Sequence, residues 1–210
     1  MAIKILIADD HAIVRQGLRQ IVTADPDLTV VGEAQNGTEL LNLIRNTEVD
    51  VVVLDISMPG RNGLETLKDI KADYPSMPVI VLSMYPEDQY AVRVFKAGAA
   101  SYITKETAPE ELVKAIKKAH HGGKYISQQL AELLASYIEA GTNKEPHKTL
   151  SDREYEVFCL LAAGKTVGQI SEEFNLSVKT VSTYRARILE KMGMTTNAEM
   201  MRYAITNKLV

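Results

Sequence analysis

The sequence is short of cysteine, of long apolar runs and of repetition. One cysteine in 210 residues excludes an internal disulfide. That residue, Cys159, stands in the apolar run VFCLL and reads as a buried, inert thiol. No run of about eighteen apolar residues occurs, so no membrane-spanning helix is expected. The opening MAIKILIADD turns acidic at once, which is not the pattern of a secretory signal. A cytoplasmic protein is the expectation. No internal repeat or low-complexity segment stands out, which sets aside solenoids and disordered tails. What remains is an ordinary globular composition, 46% apolar, in a chain longer than one typical domain. Two domains are expected.

Charge divides the chain. Residues 1–145 carry 15 Lys and Arg against 20 Asp and Glu, a balance of -5. Residues 146–210 carry 9 against 7, a balance of +2, and the two together give the net charge of -3. An acidic first part joined to a mildly basic second part suggests two tasks, with nucleic acid a candidate partner of the second.

The first 120 residues alternate between two periodicities. β-Branched and apolar runs at 3–8, 29–34, 51–54, 79–82 and 100–104 predict strands. Amphipathic stretches at 14–24, 38–46, 64–74, 88–97 and 110–120 predict helices. Strict alternation predicts a doubly wound α/β fold, with five parallel strands and helices on both faces. Runs such as VVVL and VIVL suit strands buried on both sides. A further helix is predicted near 128–140. The polar segment from Gly141 to Thr149, containing Pro146, reads as a linker. The domains predicted are thus 1–122, a linking segment 123–148, and an all-helical 149–210. The last holds four short helices at 152–163, 167–174, 178–192 and 198–207, the first opened by the Ser151 and Glu154 capping box.

In the stretch VDVVVLDISMPGRNG a strand bound for the middle of a sheet ends on a carboxylate, Asp55. The first strand ends on two more, Asp9 and Asp10, and the two strands are neighbours in a sheet of this order. Such an edge repels itself unless a cation sits there; Mg2+, with its preference for oxygen ligands, suits a few carboxylates. The fourth strand ends on Ser83, and Lys105 follows the fifth. A central carboxylate flanked by an acid pair, a hydroxyl and a lysine suits acceptance of a phosphoryl group.

At these spacings Asp9, Asp10, Asp55 with the following Met58-Pro59-Gly60 and Gly63, Ser83 and Lys105 resemble the receiver domain of bacterial two-component response regulators. The resemblance covers about residues 1–122. It implies that Asp55 accepts the phosphoryl group from a sensor histidine kinase. It implies that Asp10 ligates Mg2+ directly, that Asp9 acts largely through water, and that the backbone carbonyl of Ser57 completes the metal site. Lys105 would pair with the phosphoryl group. Ser83 and Tyr102 would form a switch pair, the hydroxyl moving toward the phosphate and the ring turning inward. Two positions depart from the common pattern: Met84 after Ser83 is bulky, and Glu106 stands after Lys105 where proline is frequent, so a cis bond is not expected there. His11 reads as a solvated residue at a helix start.

In the second domain the helices at 167–174 and 178–192 are joined by the short turn Asn175-Leu176-Ser177, a helix-turn-helix pattern. Wound at 100° per residue, 178–192 places Val181, Tyr184, Ile188 and Met192 on one side. Lys179, Ser182, Thr183, Ala186, Arg187 and Glu190 fall on the other. This outer face, small and polar in the centre, suits a major groove: Lys179 and the hydroxyls lie near base edges, while Arg185 and Arg187 suit phosphates. The runs LSDREYEV, QISEEF, LSVKTV and ILEKMG resemble the LuxR-type helix-turn-helix over nearly all of 150–210. With the receiver, this is similar to the NarL/FixJ family, nearest the branch that includes the BvgA, EvgA and GacA regulators. The resemblance implies base or backbone contacts from Lys179, Thr180, Ser182, Thr183, Arg185, Ala186 and Arg187. It also implies dimerisation through the final helix around Met200, Met201 and Ala204. The expected partners are a sensor kinase, duplex promoter DNA and a second copy of the chain, with RNA polymerase a candidate. An aspartyl-phosphate phosphatase is the rival enzyme reading. It would want a carboxylate at position 57, where Ser57 stands, so a turnover enzyme is not expected. An RNA-binding output is disfavoured because the outer face has no stacking aromatics.

Overall fold

The structure, a computed structural model, describes residues 2–58, 62–139, 146–207 and 209–210. The chain divides into two compact units, Met1–Glu132 and Leu133–Val210.

The first unit alternates strand and helix: β1 (Ile3–Ala8), α1 (Ala12–Thr23), β2 (Leu28–Ala34), α2 (Gly37–Asn46), β3 (Val51–Asp55), α3 (Gly63–Asp73), β4 (Val79–Ser83), α4 (Glu87–Lys96), β5 (Ser101–Thr104) and α5 (Ala108–His120). The five strands form one sheet in the order β2-β1-β3-β4-β5, and every pair is parallel. Every residue of β3 and β4 is buried, because helices cover both faces. The order reverses between β1 and β3, which opens a crevice at the carboxyl ends of these two strands. Ala8 pairs with Leu54, so the register brings the residues that follow β1 beside Asp55.

β3 and β4 run one residue beyond the sequence expectation and end on Asp55 and Ser83 themselves. The functional groups therefore stand on the last hydrogen-bonded positions of rigid strands. α5 starts at Ala108, two residues before the amphipathic stretch, because Pro109 is pre-set for a first helical turn. Beyond α5, Tyr125 donates its N–H to the Ala100 carbonyl at 3.0 Å, and the Ser127 hydroxyl lies 2.8 Å from the Glu87 carboxylate. These bonds lay the start of the segment between the domains against the sheet's β5 edge and α4.

The predicted helix near 128–140 is α6 (Gln128–Glu139); its expected end at Ala140 and the polar residues 141–145 lie outside the described residues. The stretch expected to be linker ends in a 3-10 turn, Pro146–Thr149, with His147 buried and its Nδ1 2.9 Å from the Tyr203 hydroxyl. Then follow α7 (Asp152–Ala162), α8 (Val167–Glu173), α9 (Val178–Met192) and α10 (Asn197–Thr206). α7, α8 and α10 each open with a full capping box, at Ser151, Thr166 and Thr196. α9 closes on Gly193 at φ 64°, the left-handed cap that glycine adopts without strain. Phe158, Ile170, Val181, Ile188, Met200 and Ala204 form the buried heart of this unit.

Candidate functional site

The crevice holds three carboxylates. Asp9 and Asp55 are fully buried, and Asp10 and the imidazole of His11 lie at its mouth. One ligand atom from each of these four residues lies within 4.8 Å of the others. Lys105 Nζ bridges the buried pair, 2.7 Å from Asp9 Oδ2 and 2.9 Å from Asp55 Oδ2. Its own strand delivers it: β5 runs beside β4, and the Lys105 N–H donates to the Ser83 carbonyl at 2.8 Å. Among the described residues no peptide bond is cis.

Burial pushes the Asp55 carboxyl up to about 6. The Lys105 charge and hydrogen bond pull against that rise, and the negative charge of Asp9 adds to it. For Lys105, burial works against the ammonium, but Asp55 and Asp9 together raise its pKa above the ordinary lysine value. Each group thus depends on the other: the carboxylates need a cation, and the cation is held by the carboxylates.

Backbone groups complete the site. The Ser57 N–H donates to Asp55 Oδ1 at 3.2 Å, and the His11 N–H donates to Asp9 Oδ1 at 2.8 Å. A Cβ at Gly63 would lie 2.1 Å from the Asp55 carbonyl oxygen, so the chain can return this close to β3 only at a residue without a side chain. Asn62 caps α3 at this point, accepting from Glu65 N–H at 2.8 Å. Pro59 and Gly60 of the sequence motif lie outside the described residues.

Ser83 and Tyr102 converge on the loop between β4 and α4. Ser83 Oγ accepts from the Tyr85 N–H at 2.9 Å, and the Tyr102 hydroxyl donates to the Tyr85 carbonyl at 2.8 Å. The Tyr102 ring is buried, and Met84 projects into solvent.

Sequence reasoning missed Arg15, whereas His11 stands as expected, exposed at the start of α1. The Nδ1 of His11 is 2.8 Å from Asp10 Oδ1. Arg15 is buried on α1 and donates to the Asp9 carbonyl at 2.6 Å. A signal was available: Arg15, Leu18 and Val22 share the buried stripe of α1, and a charge on an apolar stripe asks for a partner.

In the second unit the recognition-type helix α9 buries Val181, Ile188 and Met192, with Tyr184 half-buried. Lys179, Ser182, Thr183, Ala186, Arg187 and Glu190 are exposed, and Thr180 and Arg185 are half-buried. Three of these groups already have partners. Thr180 Oγ1 lies 2.8 Å from Ser177 Oγ. Thr183 Oγ1 donates back to the Lys179 carbonyl at 2.9 Å, and Arg185 Nε donates to Asn197 Oδ1 at 2.7 Å. Val178, not among the expected contacts, is an exposed apolar side chain on the first turn. The turn before α9 is tight because Asn175 takes a left-handed conformation, φ 50°, which asparagine tolerates.

A doubly wound domain with an acidic, lysine-bridged crevice, and a helix-turn-helix domain with a polar outer helix, together define a receiver with a DNA-binding output domain. The comparisons with known proteins agree. Residues 5–117 match the response regulator receiver domain, and residues 148–204 match the bacterial regulatory proteins of the luxR family. The chain is 38% identical to the response regulator UvrY of Escherichia coli (strain K12) over 208 residues, covering 99% of this chain and 95% of that one. It is 38% identical to the response regulator GacA of Pseudomonas aeruginosa over 209 residues, covering 99% and 98%. Among solved structures, RcsB from Salmonella enterica serovar Typhimurium, bound to a promoter in the presence of phosphomimetic BeF3-, matches at 30% identity and a TM-score of 0.67, covering 98% of this chain and all of that one. The chain belongs to the NarL/FixJ family of response regulators and is a DNA-binding transcriptional regulator controlled through its receiver domain. No helix among the described residues is long and apolar enough to cross a membrane.

Proposed function

We propose that Asp55 accepts a phosphoryl group from the histidine of a sensor kinase in the cytoplasm, and that this controls dimerisation and promoter binding by the second unit. The observation that carries the reading is the lysine bridge: a buried carboxylate at a strand end, held with Asp9 on one ammonium. An Asp55 oxygen forms the new bond to phosphorus as the bond from phosphorus to the kinase imidazole breaks. Lys105 would neutralise an oxygen of the arriving group, and the Ser83 hydroxyl would donate to another. The RcsB structure on promoter DNA with a phosphomimetic supports the same order of events here.

Asp9, Asp10 and Asp55 supply the hard oxygen donors that suit Mg2+, with the Ser57 carbonyl as a further ligand. Bound there, Mg2+ would supply charge neutralisation for the transferring oxygens. Lys105, already cationic and already bridging two of these carboxylates, supplies the protein's own share.

On this reading the chain accelerates its own phosphorylation and dephosphorylation without being a turnover enzyme. Ser57 stands where a phosphatase of the rival class would place a general acid. On DNA, Lys179, Ser182, Thr183 and Ala186 face base edges, Thr180 and Arg185 flank them, and Arg187 meets phosphate, while α10 pairs the two copies. RNA polymerase is the further partner expected at a promoter.

The decisive experiment is intact-mass measurement after incubation with acetyl phosphate and Mg2+. The parent protein should gain one phosphoryl group and Asp55→Asn none. A phosphorylated Asp55→Asn protein would move the acceptor elsewhere.

A further inference from the structure

We propose that Arg15 is a positioning residue for the acidic crevice: its guanidinium locks the peptide between Asp9 and Asp10 and so sets the strength with which the carboxylates hold Mg2+. This rests on the Mg2+ reading above.

Arg15 lies on the inner stripe of α1 and is buried. A buried guanidinium is costly unless its donors are used. Two partners compete for the role. Glu33 on β2 is one, but its Oε2 is 3.7 Å from Arg15 Nε, beyond hydrogen-bond reach, and its Oε1 is taken by Arg19 Nη1 at 2.8 Å. The other is the Asp9 carbonyl, 2.6 Å from Arg15 Nη1 in a fully buried bond. The short, charge-assisted bond is therefore to the backbone of the metal-binding pair, and Glu33 balances the charge from a distance.

The position of that carbonyl matters. It belongs to the peptide unit that joins Asp9 to Asp10, and a peptide unit turns as one plane. Turning the carbonyl moves the Asp10 Cα and swings its carboxylate. The other side of the pair is fixed already: the Asp9 N–H donates to the Ala34 carbonyl at 3.2 Å, and Asp9 Oδ1 accepts from His11 N–H at 2.8 Å. Without Arg15, the Asp9–Asp10 peptide would lose this charged anchor. α1 also supplies the Arg15 N–H bond to the His11 carbonyl at 3.0 Å, so the same residue ties the loop from both its backbone and its side chain.

Two physical effects of removing Arg15 have opposite signs. Loss of a nearby positive charge would tighten binding of a dication. Loss of the anchor would weaken it, because groups behind the ligands typically alter metal affinity roughly 10- to 100-fold. Glu33 already offsets the charge of Arg15, so the anchor effect should dominate.

The test is calorimetric titration of the full chain with Mg2+, together with phosphorylation by acetyl phosphate as a function of Mg2+ concentration. Arg15→Met should bind Mg2+ roughly 10- to 100-fold more weakly. Its phosphorylation rate should fall at limiting Mg2+ and return to the parent rate at saturation. Glu33→Gln removes a counter-charge but not the bond to the Asp9 carbonyl, so it should weaken Mg2+ binding far less than Arg15→Met does. Unchanged or tighter binding by Arg15→Met, the mark of simple charge, would overturn the proposal. So would a weakening by Glu33→Gln as large as that by Arg15→Met, which would show a general disturbance around Arg15 and not the loss of the carbonyl anchor. If Arg15→Met fails to fold, Arg15→Lys decides: it keeps the charge but shortens the reach, so affinity should fall partway, and a parent-like affinity would count against anchoring. A parent protein that binds no Mg2+ at all would overturn the metal reading and this inference together, whereas a parent that binds and an Arg15→Met variant that binds equally would sink this inference alone.

Discussion

The Tyr102 hydroxyl donates to the Tyr85 backbone carbonyl at 2.8 Å, and the ring that carries it is buried. Ser83 Oγ accepts from the N–H of that same Tyr85. Both residues expected to form the switch therefore hold one residue of the loop entering α4, one by its carbonyl and one by its amide. Any move of the Ser83 hydroxyl toward a phosphoryl group on Asp55 releases the Tyr85 amide, while Tyr102 still holds the Tyr85 carbonyl.

Tyr102→Phe should remove that tether and keep the ring. The expected loss is about 1 kcal/mol of unfolding free energy, the usual worth of one hydrogen bond, read by urea denaturation. Amide exchange at 84–87 should rise in the unphosphorylated protein. Parent-like exchange there would show that the loop is held by something else.

A second prediction concerns pH in the absence of metal. Burial raises the Asp55 carboxyl to about 6 in the folded chain, above its value in the unfolded one. The native state thus keeps a proton that the unfolded chain has released. The stability from this group is fully present below the unfolded value and is lost as pH rises to about 6. A rise of this size is worth about 3 kcal/mol. Asp55→Asn cannot titrate, so in EDTA its advantage over the parent should grow by that order between pH 4 and pH 7 and then level off. Carboxylates such as Glu154 and Glu199, whose pKa values are lowered, act in the opposite direction and cancel in this comparison. A constant difference across the range would mean that Asp55 titrates as an ordinary carboxylate.

Lys105→Met should leave Asp9 and Asp55 without their shared ammonium. Removing one partner of a buried ion pair typically costs about 3 kcal/mol or more, here expected at pH 8 in EDTA. Mg2+ at saturation should recover more stability in this variant than in the parent, since the incoming dication then meets uncompensated charge. Thermal melting with and without Mg2+ measures both. Equal Mg2+ stabilisation in the two proteins would separate the lysine from the metal site.

On DNA the outer face of α9 should divide into two kinds of contact. Arg187→Ala should weaken binding to all duplexes and reduce the salt slope by about one. Thr183→Ala and Lys179→Ala should change the preferred sequence instead. Because the Thr183 hydroxyl donates to the Lys179 carbonyl, its oxygen would meet a base edge as an acceptor, and its methyl would offer an apolar contact. Fluorescence anisotropy on a panel of duplexes at several salt concentrations separates these outcomes. Uniform loss from all three variants would show that α9 does not read bases.

Local chemistry by itself determined the alternation of strands and helices, the cap at Ser151, and the placing of Asp9, Asp10, Asp55, Ser83 and Lys105 at strand ends. Period, branching and turn residues are local properties, and a parallel sheet fed by short crossovers leaves few topologies to choose from. The stripe of α9 was legible for the same reason: its buried and exposed sides follow from helical geometry alone. What only the tertiary structure decided is who touches whom across the fold. Lys105 reaches Asp9 and Asp55 from far along the chain because β1, β3 and β5 end on one edge. The inward seat of Tyr102, the helical turn at Pro146–Thr149 and the bond from Arg15 to the Asp9 carbonyl come from the same source. A side chain's partner across an edge depends on register, on packing depth and on which polar group burial leaves in need, and none of these is a property of neighbours along the chain.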